Sequence, residues 1–313
     1  MESDTCTPTD LCPSHLTPGF KAFDPVRVAE ATERVVCKGN KRRYSRFGWT
    51  INYKTGIATG YVVGCCLRCI YCWASETRDR LVKTSDFYSP QEAFERLTSE
   101  AKKKHLRQIR ISDAEPTIGK EHLLELIELV ERSEFDRFVL ETNGILFGVD
   151  KDYVRSLSQF RKVYIRVSLK AGTASDFTQK TGAAPEAFDL PFQAIRHLRD
   201  EGLNFSVAAM SADPRFMSPE ERISLIGKLA SIDPALALNL EEEMVVLYPD
   251  TVKRIEAMKL DSYAGRIRAL ERIPVLGRFL QVSYQPVSTL ARKSLVKSLK
   301  YSVRAFRELY HGT

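Results

Sequence analysis

Seven cysteines stand at positions 6, 12, 37, 65, 66, 69 and 72, four of them within eight residues. The dense segment reads Gly64-Cys65-Cys66-Leu67-Arg68-Cys69-Ile70-Tyr71-Cys72-Trp73. Disulfide frameworks scatter their cysteines, whereas thiols clustered in a reducing compartment usually hold metal. Cys65, Cys69 and Cys72 have the spacing C-x3-C-x2-C, so one short loop can offer a thiolate to each of three irons of a cubane cluster. Most [4Fe–4S] clusters take four cysteines. A three-cysteine loop leaves one iron open to bind and activate a small molecule. Taking Cys66 instead of Cys65 gives C-x2-C-x2-C, a ferredoxin-like run that lacks its fourth cysteine, so Cys66 is read as a bystander. Zinc would ordinarily call for a second cysteine pair or a histidine, and the histidines at 15, 105, 122, 197 and 311 are all distant in sequence. Cys6, Cys12 and Cys37 are too unevenly spaced to make a good second cluster.

Alternating strand and helix signals must position this loop. A first helix spans 25–36, with Asp24 as N-cap and Pro25 at the first helical position. A basic stretch, Lys38 to Arg46, follows. Phe47 to Tyr53 and Ile57 to Gly64 read as two strands of a hairpin turning at Lys54-Thr55-Gly56, and the second runs directly into the cysteines. Ser89-Pro90-Gln91-Glu92 is a capping box that opens a helix through Ala93, Phe94, Leu97 and Ala101. Strands follow at Gln108 to Ser112, Arg137 to Glu141, Val163 to Leu169, Phe205 to Met210 and Leu238 to Leu247. Helices lie between them, the last opened by a second Ser-Pro-Glu-Glu cap at 218–221. Six β/α steps imply a parallel sheet covered by helices and curled into a full or partial barrel. Chemistry in such folds sits just past the C-terminal ends of the strands.

At those ends the loop and its neighbours resemble the radical S-adenosylmethionine superfamily. The resemblance rests on the C-x3-C-x2-C spacing with an aromatic residue, Tyr71, before the third cysteine, and covers roughly residues 57–250. It implies a partial (β/α)6 barrel with an N-terminal helix and hairpin (1–56), a core (57–250) and a basic helical C-terminal extension (251–313). It also implies a [4Fe–4S] cluster on Cys65, Cys69 and Cys72 whose open iron chelates S-adenosylmethionine. Reduction then cleaves the sulfonium to a 5′-deoxyadenosyl radical that abstracts hydrogen from a substrate. In the superfamily a Gly-Gly-Glu-Pro segment contacts the methionine amino group. Here Asp113 and Ala114 replace the glycines, while Glu115 and Pro116 remain. Glu141-Thr142-Asn143-Gly144 looks like the Thr-Asn-Gly of glycyl-radical-enzyme activases, with Asn143 available for hydrogen bonding in the site. Alternation places Arg166, Ser168 and Lys170 on one strand face. Polar groups there are costly unless they line a site, and relatives use a Ser or Lys here on the ribose or carboxylate of S-adenosylmethionine. Arg166 can pair with Glu141 or Glu115. Met210 is a candidate to pack on the adenine, and Tyr71 and Trp73 to shield the cluster.

Composition excludes other classes. The hydrophobic fraction is 43% and the charged fraction 28%, values of an ordinary globular chain. No apolar run approaches the roughly 18 to 20 residues of a membrane span, and Met1-Glu2-Ser3-Asp4 lacks the pattern of a signal peptide. The expectation is a cytoplasmic, anaerobic oxidoreductase or activase-like enzyme served by a small electron donor such as ferredoxin or flavodoxin. Its substrate would be a protein, a peptide or a small metabolite. Residues 251–313 hold 13 Lys and Arg against 4 Asp and Glu within a chain of net charge +7. An amphipathic basic helix over 288–310 is expected to pack on the barrel, and nucleic acid is only weakly supported as a partner. A molybdopterin-precursor synthase is disfavoured, because no cysteine follows Cys72 and the chain ends His311-Gly312-Thr313. A non-catalytic iron–sulfur electron carrier is the alternative from another class. There is no Walker A, Gly-x-Gly-x-x-Gly or His-Glu-x-x-His sequence.

Overall fold

The computed structural model describes residues 20–257 apart from 52, 54, 80–84 and 214. Among them nine strands form one sheet in the order β1-β2-β3-β5-β6-β7-β8-β9, with β4 pairing β2 off that path. The strands are β1 (Cys37–Lys38), β2 (Lys41–Thr50), β3 (Ile57–Val62), β4 (Asp86–Tyr88), β5 (Gln108–Asp113), β6 (Arg137–Thr142), β7 (Val163–Leu169), β8 (Phe205–Ala209) and β9 (Glu241–Glu242). From β3 through β9 every pairing is parallel, while β1, β2 and β4 are antiparallel. The result is six parallel strands in chain order, an open partial barrel, with an antiparallel ribbon at one edge.

The helices are α1 (Pro25–Val36), α2 (Ser75–Asp79), α3 (Pro90–Lys103), α4 (Lys120–Glu131), α5 (Ile145–Val149), α6 (Lys151–Leu157), α7 (Ala174–Thr181), α8 (Leu190–Asp200), α9 (Pro219–Ile232), α10 (Pro234–Leu238) and α11 (Pro249–Ala257). Their starts follow local chemistry. Asp24 accepts from the Val26 N–H at 2.9 Å with Pro25 next to it. The capping box closes in both directions, Glu92 N–H to Ser89 Oγ at 3.2 Å and Ser89 N–H to Glu92 Oε2 at 2.7 Å, so both orphan donors are satisfied. Strand β7 keeps strict period two. Val163, Ile165, Val167 and Leu169 are buried, while Tyr164, Arg166 and Ser168 are half-buried on the opposite face. That second face turns toward the barrel interior.

Two expectations need correction. The hairpin strand is not Phe47 to Tyr53 but starts at Lys41, so much of the basic stretch is itself strand. Arg42 and Tyr44 bury their side chains under α4, where the Tyr44 hydroxyl meets His122 Nε2 at 2.8 Å. A bulge between Tyr44 and Arg46 then resets the alternation. At the other edge, the strand expected over Leu238 to Leu247 shrinks to two residues, because Asp233 caps a helix running to Leu238. The basic helix expected at 288–310 lies outside the described residues. Among the described residues no helix is long and apolar enough to cross a membrane.

Candidate functional site

The cysteine loop leaves β3 and is tied down at both ends. The Gly64 N–H donates to Thr77 O at 2.9 Å, and Gly64 O accepts from the Glu115 N–H at 3.0 Å. Farther along, the Arg68 and Ile70 N–H groups donate to Thr181 O and Lys180 O at the end of α7, each at 2.9 Å. Cys66 and Cys69 are buried, while Cys65 and Cys72 are half-buried. The sulfurs of Cys65, Cys69 and Cys72 lie near enough for each to act on the others electrostatically. Among the described residues no three or more His, Cys, Asp or Glu converge on a single metal-ion position.

Burial pushes the Cys69 thiol up to about 12, and it raises Cys72 as well. The Cys66 thiol hydrogen-bonds to Cys65, which lowers Cys65 and raises Cys66.

The ends of β5 and β6 close around one carboxylate. Glu115 is fully buried. Its Oε1 accepts from the Thr117 hydroxyl and the Thr142 hydroxyl, both at 2.7 Å, and from the Thr117 N–H at 3.2 Å. Oε2 accepts from the Asn143 N–H at 2.8 Å. Asn143 in turn points its amide at the cysteines, Nδ2 lying 3.3 Å from Cys66 Sγ and 3.8 Å from Cys65 Sγ. Gly144, with φ of 81°, packs against Val167 and Pro191 so closely that a Cβ there would stand 3.2 Å from each. Ala114 is half-buried in the turn. Asp113 has φ of 96°, a conformation that L-residues rarely adopt, at the position where the resemblance to Gly-Gly-Glu-Pro would put a glycine. Burial raises the Asp113 carboxyl to about 6 against the pull of Thr77, Arg46 and Arg110.

Inside the barrel the polar residues sort into two ion networks. Glu141 pairs with Arg110 Nη1 at 3.1 Å and accepts from Ser112 at 2.6 Å and Tyr53 at 2.5 Å. Burial works against its charge, but Arg110 and the two hydroxyls outweigh burial and hold the carboxyl below the usual range. Arg166 does not take Glu141 or Glu115 as its ion-pair partner. It donates to Glu241 at 2.8 Å and Glu243 at 2.7 Å. Residues 241 and 243 share one face of the edge segment, so two carboxylates reach Arg166 while Glu242 faces Ser211 and Arg222.

Lys170 Nζ lies 2.7 Å from Ser168 Oγ, and its charge acts on Cys69. The buried Tyr71 donates to Lys170 O at 3.1 Å and sits edge-on to Phe216. Met210 is half-buried just past β8. Trp73, expected as a shield, is 52% exposed, because the chain turns outward after Cys72.

The loop, Asn143 and Lys170 therefore meet at one end of the sheet. A cavity of about 660 Å³ opens instead at the N-terminal ends of β5 and β6, beside Tyr53, His105 and Arg137. Sequence reasoning missed Tyr53 and Arg110, and it missed Arg68, Arg78 and Arg254, whose side chains bond the loop backbone. Arg68 and Arg78 carry a signal in their nearness to the cysteines, but Arg254 carries none.

No curated protein is significantly similar to the chain. Among solved structures it is similar to Streptococcus suis SuiB bound to the precursor peptide SuiA, at 20% identity and TM-score 0.42, covering 54% of this chain and 35% of that one. It is also similar to TYW1 with a lysine-pyruvate adduct bound, at 16% and 0.44, covering 64% and 72%. A radical SAM methyltransferase from Sphaerobacter thermophilus gives 14% and 0.47, covering 70% and 66%. The chain thus spans about a third of the length of SuiB. Residues 61–211, from the strand that feeds the cysteine loop to the turn after β8, match the Radical SAM superfamily model, so this segment of the chain is a radical SAM domain.

Proposed function

We propose that the chain is an enzyme that holds a [4Fe–4S] cluster on Cys65, Cys69 and Cys72 and binds S-adenosylmethionine across the adjoining strand ends. One observation carries this reading. Two polar groups from separate strand ends, the Asn143 amide and the Lys170 ammonium, bear on the same three-thiol loop. The donor set suits the superfamily's cluster: three thiols on one short loop at C-x3-C-x2-C spacing. When bound, the two cofactors supply a 5′-deoxyadenosyl radical able to abstract hydrogen.

The chain's own residues bind and orient. Lys170, steadied by Ser168, offers a cation to the S-adenosylmethionine carboxylate, and Ser168 a hydroxyl to carboxylate or ribose. The backbone at Ala114 and the free acceptor capacity of Glu115 Oε2 face the amino group. Asn143 spans cofactor and thiols, Tyr71 closes the loop over Lys170, and Met210 packs on the adenine. The Arg166–Glu241–Glu243 and Arg110–Glu141 pairs line the interior, where a substrate would enter.

The activase-like assignment, a protein, peptide or metabolite substrate, a ferredoxin- or flavodoxin-type donor and a cytoplasmic setting are consistent with this reading. The test is anaerobic reconstitution followed by reduction with S-adenosylmethionine present. Methionine and 5′-deoxyadenosine in equal amounts are expected, formed slowly without substrate. No product above a protein-free control, with about four irons bound, would assign the chain to electron carriage instead.

A further inference from the structure

The three cysteines share a feature that their spacing does not reveal: the backbone carbonyl of each accepts from a different arginine. Arg68 Nη1 donates to Cys65 O at 2.7 Å and also to Leu67 O at 3.1 Å. Arg78 Nη1 donates to Cys69 O at 2.9 Å. Arg254 donates to Cys72 O, and its Nε reaches Ile70 O at 3.2 Å. The three come from the loop itself, from α2 and from α11, the last 182 residues from Cys72. Arg68 and Arg78 are buried.

Neutral donors would satisfy carbonyls at lower cost. A guanidinium removed from water forfeits hydration that a carbonyl does not restore, and a buried cation is ordinarily offset by a charge. Here one carboxylate, Asp79, serves two of the three, Arg78 Nε at 2.8 Å and Arg68 Nε at 3.4 Å. The hydrogen bonds of Arg254 all go to neutral groups: Cys72 O, Ile70 O, the Ser75 hydroxyl at 2.6 Å and the Thr251 hydroxyl at 3.2 Å. Arg78 and Arg254 also repel one another. Among the described residues Asp79 is the one carboxylate that hydrogen-bonds to these arginines; Asp250 acts on Arg254 and Glu115 on Cys65 only through space, and Lys170 adds a fourth cation beside Cys69, so the groups that hold the loop itself carry more positive than negative charge.

We propose that Arg68, Arg78 and Arg254 are positioning residues that fix the three cysteines and hold positive charge against the cluster, so raising its reduction potential. The inference rests on the assignment of a cluster to these cysteines. Cluster potentials respond to net charge. One-electron reduction by an external low-potential donor adds one negative charge and breaks no bond, so nearby cations favour the reduced form. Carbonyl contacts from three separate segments also keep the sulfurs from drifting apart before iron arrives.

The experiment uses the full chain, reconstituted anaerobically without S-adenosylmethionine. Iron per chain and midpoint potential are read for wild type, Arg254→Gln, Arg254→Lys, Arg78→Gln and Asp79→Asn. Arg254→Gln should keep its iron and disfavour reduction by on the order of tenfold for a unit charge at this range, a downward shift of about 59 mV for one electron. Arg254→Lys should recover most of that shift. Arg78→Gln should move the same way. Asp79→Asn removes the counter-charge and should shift the potential upward, a reversal of sign that simple loosening of the loop would not produce.

Unchanged potentials in Arg254→Gln and Asp79→Asn at full iron would overturn the proposal, as would shifts of the same sign. Loss of iron in Arg254→Gln and Arg254→Lys alike would also overturn it, by making the arginine a matter of shape and not charge. A wild-type chain that takes up no cluster would remove the assignment of the cysteines themselves, and this inference with it.

Discussion

The cysteine loop after β3 and the Ser112–Thr117 segment after β5 are neighbours at the same end of the sheet, yet they are held by opposite chemistry. The cysteine loop offers carbonyls, and cations from three segments take them. The Ser112–Thr117 segment offers N–H and hydroxyl donors, and one buried anion, Glu115, collects them together with those of the next strand end. Both regions are irregular backbone at a strand end, and in low dielectric their polar groups must be paired. The sign of the group chosen tracks what stands beside it. Under the proposed function the cations surround thiols that ionise on binding metal, and the anion lies on the side given to the amino group of S-adenosylmethionine. Holding a loop and tuning its electrostatics are thus done by the same side chains.

The most severe break is at the loop itself. Replacing Cys69 by Ala should abolish the cluster, whereas Cys66→Ala should keep it, as read by iron content and visible absorption. Full iron in Cys69→Ala would move the ligand set elsewhere. Next comes the anion. Glu115→Ala strands four donors, at least some without water, and should cost about 3–5 kcal/mol of stability in denaturant titration. Unchanged stability with weakened S-adenosylmethionine binding would leave Glu115 its cofactor contact and remove its role in holding the strand ends.

A smaller effect is expected at Lys170. Lys170→Ala should leave iron content alone and weaken S-adenosylmethionine by about 1.5–3 kcal/mol, roughly 10- to 150-fold, in titrations monitored at the oxidised cluster. Wild-type affinity there would dissociate β7 from the cofactor.

The smallest change sharpens the comparison. Asp113→Gly relieves a positive φ and should stabilise the chain by about 1 kcal/mol net of glycine's added backbone entropy. The Asp113 carboxyl rises on folding from the ordinary aspartate value of 3.8 to about 6. Its contribution is therefore most favourable at low pH and declines as pH rises toward that value. The gain from Asp113→Gly should be larger at pH 7 than at pH 4. A pH-independent gain would mean that backbone strain alone is relieved.

Much of this was legible in the chain. Helix starts at Asp24, Ser89 and Ser218 and the alternation of β7 depend on neighbours a few residues apart, so local pattern suffices. The cysteine spacing carries its chemistry for the same reason, since three thiols on eight residues cannot be far apart. The Lys41 start of β2 was hidden because basic residues read as solvated, although Arg42 lies buried with its Nε on Ile118 O at 2.9 Å. For Arg166, strand period gives a face but not a partner. Glu241 and Glu243, two strands away, are tied to it by sheet order and by no local pattern.

What the sequence determined by itself was therefore the kind of site and the strand end where it belongs, because spacing and periodicity act over short range. Only the tertiary structure decided which charges hold it. Arg254 reaches Cys72 across 182 residues, and Glu115 gathers donors from two strands 27 and 28 residues on. Contacts at such separations are set by sheet order and crossover geometry, and a guanidinium pairs with whichever oxygen the fold brings to it.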